Sequence, residues 1–230
     1  MPDNNPNIER ENRILDAAAR LITHYGFDKT TVSDIAEAAG ISKGAVYLHY
    51  KSKEALFEAL IIRESETILE DMLTSMERDP NAGSIFGLYQ HAILAVMRSP
   101  LIHAVVTRDQ RVVGEMARKM KDTGIGAQGN LIRYEMVAQL QAANVIRQDL
   151  DAVEVSYILA LIRYGFLTIG QVIPEDQRPP IDRVGQTLGE ILERGLAPPD
   201  GGDREKGKAA LENILQRLRV LIQQYKEQGT

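Results

Sequence analysis

The chain contains no cysteine and no tryptophan among its 230 residues, so it has no disulfide framework, no thiolate nucleophile and no cysteine metal site. Histidine is scarce as well. His24, His49, His91 and His103 form no i, i+4 pair and no HExxH, which leaves no spacing suited to a metal ion. No run of apolar residues approaches the roughly 20 needed to span a bilayer. The polar start MPDNNPNIER lacks a secretory hydrophobic region, so the expected location is the cytoplasm, away from the membrane. Alternating strand patterns are missing, and no nucleophile elbow accompanies the serines, histidines and aspartates, so neither enzyme activity nor a cofactor is expected. With a formal net charge of −5 the chain is unsuited to coating nucleic acid, and any affinity for DNA must come from a local basic face.

What is present is concentrated between Thr31 and Lys53, TVSDIAEAAGISKGAVYLHYKSK. Thr31 followed by Asp34 has the form of a capping box, so a helix opens there and buries Ile35, Ala36 and Ala39. Gly40 ends it, because glycine enters the left-handed region without a Cβ clash. Ile41 then drops inward and Ser42 caps a second helix through Lys43, Gly44, Ala45, Val46 and Tyr47. Two short helices joined by a tight turn make a helix-turn-helix. From Ile41 to Lys53 the charged side chains are Lys43, Lys51 and Lys53, with no acid among them and with Tyr47, His49 and Tyr50 interleaved. Such a basic, aromatic-bearing face fits a duplex groove and its flanking phosphates. Lys43, Ala45 and Leu48 are the side chains expected nearest the base edges, since lysine donates to guanine and alanine or leucine touches a thymine methyl.

Residues Ile14 to about Leu60 closely resemble the DNA-binding domain of the TetR family of bacterial transcriptional regulators. The pattern G-[IV]-S-x-G-x-[VL]-Y-x-[HY]-[FY]-x-[SN]-K-E-x-L is present from Gly40 to Leu56. The resemblance implies that the second short helix enters the major groove, with Thr31, Ser42, Lys43, Gly44, Tyr47, His49 and Lys53 touching phosphates or bases.

The rest of the chain reads as helical. A first helix from about Ile8 to Tyr25 places Ile14, Ala18, Leu21, Ile22 and Tyr25 on one stripe and closes at Gly26. Ser52 caps a long helix that runs until Pro80 forbids more. Further helices are expected at Ser84 to Arg98, Pro100 to Thr107, Gln110 to Lys121, Gly126 to Asn144, Asp151 to Ile173 and Ile181 to Arg194. The expected architecture is all-α, with an N-terminal three-helix DNA-binding domain and a C-terminal helical bundle. The boundaries are residues 1–52 for the arm and helix-turn-helix, 53–80 for a connecting helix, 81–196 for the bundle, and 197–230 for a linker and an extra amphipathic helix. That last helix carries Leu211, Ile214, Leu215, Leu218, Leu221, Ile222 and Tyr225 on one face, which must be covered, so it is expected to pack on the bundle of its own or a second subunit.

A single headpiece reads few base pairs, and a two-fold dimer presents two recognition helices roughly 34–36 Å apart on a near-palindromic operator. The resemblance implies that the last two bundle helices pair with those of a second subunit, which makes Ile158, Leu161, Ile162, Leu188, Ile191 and Leu192 the interface candidates. Tyr89, Met97, His103, Tyr134, Tyr157, Arg163, Tyr164 and Phe166, polar or aromatic groups inside apolar helices, are the candidates for a small-molecule pocket. Arg163 is the sharpest of them, since a guanidinium in LALIRYGFLTIG needs a carboxylate or an anionic ligand. Gly124, Gly126 and Gly129 spell G-x-G-x-x-G, but MARKMKD before them is a helical pattern rather than a strand, so no dinucleotide site follows. The expected function is a homodimeric, sequence-specific DNA-binding regulator, a repressor released from its operator by a small-molecule effector. The alternative is a DNA-bound scaffold governed by a protein partner.

Overall fold

The structure is a computed structural model that describes residues 6–122 and 134–228. Every regular element among the described residues is helical, and the fold is all-α, as the missing alternation demanded. The described residues form two compact units, one from residues 6–66, 100–122 and 222–228 and the other from 67–99 and 134–221.

In the first unit, α1 (Pro6–Tyr25) opens on proline, whose missing N–H would have had no helical partner at that position. It buries Ile14, Leu15, Ala17, Ala18 and Ile22. Tyr25, expected on this stripe, instead lies exposed with its ring edge-on to His24 at 4.4 Å, because the helix ends there and the core is closed by Phe27. Gly26 takes φ 87°, and a Cβ on it would overlap the Arg111 carbonyl. That close approach lets the Phe27 N–H donate to Val112 O at 2.8 Å, and Phe27 stacks edge-on with Phe57 at 5.0 Å. α2 (Val32–Ala38) and α3 (Lys43–His49) pack beside α1, and the N-terminal half of α4 (Lys53–Glu77) contributes Leu56, Phe57, Leu60 and Ile61 to the core.

α6 (Pro100–Thr107), α7 (Gln110–Val113) and α8 (Met116–Asp122) complete this unit. The single helix expected from Gln110 to Lys121 is broken at Gly114, which has φ 50°. The break has a cause 87 residues away. The Asp28 carboxylate occupies the space where a Gly114 Cβ would stand, and its Oδ1 accepts from the Glu115 N–H at 3.2 Å, so it draws the chain out of the helix.

The second unit holds the rest of α4, α5 (Ile85–Arg98), the helical residues 134–142 as α9, α10 (Ala152–Thr168), α11 (Ile181–Leu196) and most of α12 (Arg204–Gln228). α10 gives way to a 3-10 turn at Ile169–Gln171, short of the expected end at Ile173. α5 and α11 lie so close that a Cβ on Gly189 would overlap the Phe86 ring, and the Glu193 carboxylate accepts from the Phe86 N–H at 3.3 Å, capping the positive end of α5. The extra C-terminal helix starts earlier than expected, at Arg204, and packs on its own chain. Leu211, Ile214 and Leu215 are buried, Arg217 pairs with Glu135 at 2.7 Å, and Arg219 pairs with Glu70 at 3.5 Å.

Candidate nucleic-acid interface

The helix-turn-helix is built by local rules. Thr31 and Asp34 close a reciprocal capping box: Asp34 N donates to Thr31 Oγ1 at 3.2 Å, and Thr31 N donates to Asp34 Oδ2 at 2.9 Å. The threonine hydroxyl also donates to the same carboxylate at 2.7 Å. These bonds hold the Asp34 carboxyl below the usual carboxylate range, the side-chain bond from Thr31 contributing most. A depressed folded-state value means stability that is present above the unfolded value of about 3.9 and lost as pH falls through the lower folded value. Asp34→Asn therefore flattens the acid limb of the thermal-stability profile, and a variant whose melting temperature falls in acid as steeply as the parent's would show that the box contributes nothing.

The turn is made by Gly40 at φ 67°, with Ile41 N donating to Ala36 O at 3.0 Å. Ser42 caps α3 by accepting from Ala45 N at 3.1 Å. Val46 is buried and anchors α3 to its own unit, while Lys43, Gly44, Tyr47 and Leu48 are exposed. Ala45 and His49 are half-buried at the flanks. Thr31 and Ser42 are exposed at the two helix starts, with both side-chain oxygens engaged in the caps.

Lys53 differs from expectation. Its ammonium turns toward its own unit and donates to Phe27 O at 2.8 Å and Thr30 O at 3.0 Å, with the Phe27 ring 4.2 Å below it. It adds a donor to the carbonyls of the 27–30 turn, where Phe27 O otherwise accepts a shared N–H from Thr30 at 3.3 Å. Lys53→Met removes the ammonium donor from Thr30 O at a part-buried site, leaves Phe27 O with the shared Thr30 N–H, and lowers stability by about 1–2 kcal/mol. The salt dependence of DNA binding distinguishes this role from a phosphate contact, because removing a phosphate-bound cation lowers the slope of log affinity on log salt by about one.

The family model for bacterial regulatory proteins of the tetR family matches residues 14–60, the segment from the core of α1 through the start of α4. Residues 14–60 are a TetR-family DNA-binding domain. The HTH-type transcriptional repressor Rv1474c of Mycobacterium tuberculosis is 44% identical over 57 residues, 25% of this chain but only 30% of that repressor. The match to the HTH-type transcriptional regulator UidR of Escherichia coli is longer, 29% identical over 162 residues, covering 67% of this chain and 78% of UidR. Among solved structures, the transcriptional regulator FadR from Bacillus subtilis, in complex with stearoyl-CoA, superposes with a TM-score of 0.60 at 20% identity, over 79% of this chain and 96% of that one. Members of this family are transcriptional regulators, so the non-enzymatic expectation agrees with the family.

Away from the helix-turn-helix, the structure separates residues that the sequence groups together. α10 is apolar all round. Val155, Leu159 and Leu167 face its own unit, while Val153, Tyr157, Ile158, Leu161 and Tyr164 form a continuous exposed face on the other side. Tyr157 and Tyr164, expected in a pocket, lie seven residues apart and therefore share the face of the interface candidates Ile158 and Leu161. Ile191 on α11 is exposed too, and Ile162 and Leu188 are half-buried. Leu192 is 5% exposed, so it belongs to its own unit's core rather than to an outward face. By length and composition alone the helix Ala152–Gln171, at mean hydropathy 1.5, is long and apolar enough to cross a membrane, although Glu154 and Arg163 interrupt its apolar run.

Of the remaining pocket candidates, Tyr89 and Arg163 lie near enough in the second unit for the Arg163 charge to act on the Tyr89 hydroxyl. His103 belongs to the first unit and Tyr89 to the second, where its hydroxyl donates to Leu159 O at 3.1 Å. Met97 and Tyr134 are exposed, and Arg163 and Phe166 are half-buried on the inward side of α10. A cleft that the sequence did not reveal lies between α9 and α12, lined by Glu135, Met136, Gln139, Ile214, Arg217, Leu218 and Leu221; its volume is about 20 Å³, room for one water. Also unforeseen is a chain of hydrogen bonds from Ser75 Oγ to His91 Nδ1 at 3.0 Å and from His91 Nε2 to Asp79 Oδ2 at 2.9 Å. The residue types match a hydrolytic triad, but the imidazole is reversed and the serine also bonds Met72 O, so the chain ties α4 to α5. The expected GxGxxG loop, Gly124 to Gly129, lies outside the described residues, and no group of side chains suited to a metal ion occurs among the described ones.

Proposed function

We propose that the protein is a sequence-specific, DNA-binding transcriptional repressor that acts as a homodimer on a near-palindromic operator and leaves it when a small molecule binds the second unit. The observation that carries the reading is the outward face of α3, where Lys43, Gly44, Tyr47 and Leu48 are exposed while Val46 anchors the helix. Lys43 and Tyr47, with the caps at Thr31 and Ser42, supply phosphate and base contacts, and Ala45 and His49 border them. The exposed apolar face of α10 supports the dimer, because an apolar surface of that kind is covered in a stable assembly.

The effector acts on a continuous helix. α4 runs unbroken from Lys53 to Glu77, so a molecule that shifts its C-terminal half displaces its N-terminal half, next to the helix-turn-helix. A hundredfold preference for the DNA-incompetent state supplies about 2.7 kcal/mol of bias. The stearoyl-CoA bound to FadR makes a long-chain acyl-CoA the first effector to test.

The test is selection of a binding site from a random duplex pool, followed by titration across salt. Affinity should fall linearly on a log–log plot. Tyr47→Ala should weaken all sequences alike, and Lys43→Ala should also relax base preference. A protein that enriches no sequence, or whose Tyr47→Ala and Lys43→Ala forms bind as the parent does, refutes the assignment. Operator binding that answers to no small molecule leaves the scaffold with a protein partner as the surviving reading.

A further inference from the structure

Two features of α3 have no account within the protein itself. Gly44 has no left-handed φ, and the space where its Cβ would stand meets only Ser42 Oγ at 3.9 Å. Alanine is more stable than glycine inside a helix, so neither backbone nor packing asks for the glycine. Leu48, one turn on, is 87% exposed, the highest value among the large apolar side chains of the described residues. At about 100° per residue the two lie roughly 40° apart, on the face opposite buried Val46. Together they form a strip of bare backbone and isobutyl group, with Lys43 and Tyr47 on one flank.

We propose that Gly44 and Leu48 seat the 5-methyl group of a thymine: the missing side chain at 44 lets the helix axis approach the base edges, and Leu48 closes over the methyl. This rests on the reading of α3 as the major-groove helix. Thymine alone among the four bases presents an apolar group there, and leucine has neither donor nor acceptor with which to read anything else. Its discrimination comes from the apolar area removed from water.

Deoxyuridine tests the seat, because it removes the methyl and leaves every hydrogen-bonding group of thymine in place. With a duplex selected by the full-length protein, replacing each thymine in turn should reveal one position per half-site where affinity drops about fourfold, the effect of burying one methyl group. Leu48→Ala should bind the thymine duplex with about that loss and become indifferent to the replacement. Gly44→Ala should raise the melting temperature yet weaken binding at least tenfold. Wild-type protein that binds its selected duplex but tolerates deoxyuridine everywhere, or a Leu48→Ala form that still distinguishes the two bases, overturns the seat and leaves DNA binding intact. Failure to select any duplex overturns the underlying reading instead.

Discussion

Leu161→Glu is expected to convert the proposed dimer to a monomer at micromolar concentration and to abolish operator binding in the same range. Leu161 is 56% exposed in the middle of the outward face of α10, flanked by Tyr157, Ile158 and Tyr164. In a two-fold assembly each substitution appears twice, and each buries a carboxylate against apolar surface without a partner. At about 3 kcal/mol for one such charge, dimer affinity falls at least about 100-fold. The loss propagates to DNA, because a monomer engages one half-site and forfeits the second set of contacts. Fold should be spared, since Val155, Leu159 and Leu167 on the inward face are untouched. Sedimentation velocity with circular dichroism separates the cases. A Leu161→Glu protein that sediments as a dimer moves the interface off α10, and one that unfolds shows that the face is covered within the chain.

The second large effect concerns α12, where the same substitution that stabilises α3 should do the reverse. A Cβ on Gly207 would overlap the Gly83 carbonyl oxygen and stand 2.7 Å from Val145 Cγ2, and a Cβ on Gly83 would overlap the Arg204 carbonyl oxygen and stand 2.7 Å from Lys208 N. Alanine at 207 improves helix propensity by up to about 1 kcal/mol. The overlap is with backbone, which cannot rotate away, so α12 must be displaced at a cost of about 3 kcal/mol. Overpacking wins, by about 2 kcal/mol net, and the melting temperature drops by roughly 4–8 °C. Gly83→Ala strikes the same contact, so the double variant should lose less than the sum of the two. Gly207→Ala melting at or above the parent temperature would mean that α12 does not rest on Gly83 in solution.

Wherever a neighbour in sequence supplies the physical cause, the chain was legible before it was folded. The Thr31–Asp34 box, the glycine turn at Gly40, the Ser42 cap and the boundaries of α2, α3 and α4 depend on bonds spanning three to five residues, and each stands where the residues placed it. Composition and periodicity likewise sufficed for an all-α chain with a helix-turn-helix near its start. Causes that arrive from far along the chain were invisible: Asp28 breaks a helix at Gly114, and Phe27 and Thr30 draw the Lys53 ammonium toward themselves.

The two sides of α10 mark the limit most clearly. A helix that is apolar around its whole circumference has no period from which to choose an inner face, so tyrosines at 157 and 164 read equally well as pocket or surface. Only packing against the rest of the second unit assigned Val155, Leu159 and Leu167 inward and left Tyr157, Leu161 and Tyr164 out. Sequence alone determined which segments are helical and where a cationic helix can be displayed, because those depend on hydrogen bonds and caps within a few residues. Tertiary structure decided which side of each helix is covered and which charged groups are engaged, because burial is a property of surfaces that meet across the fold.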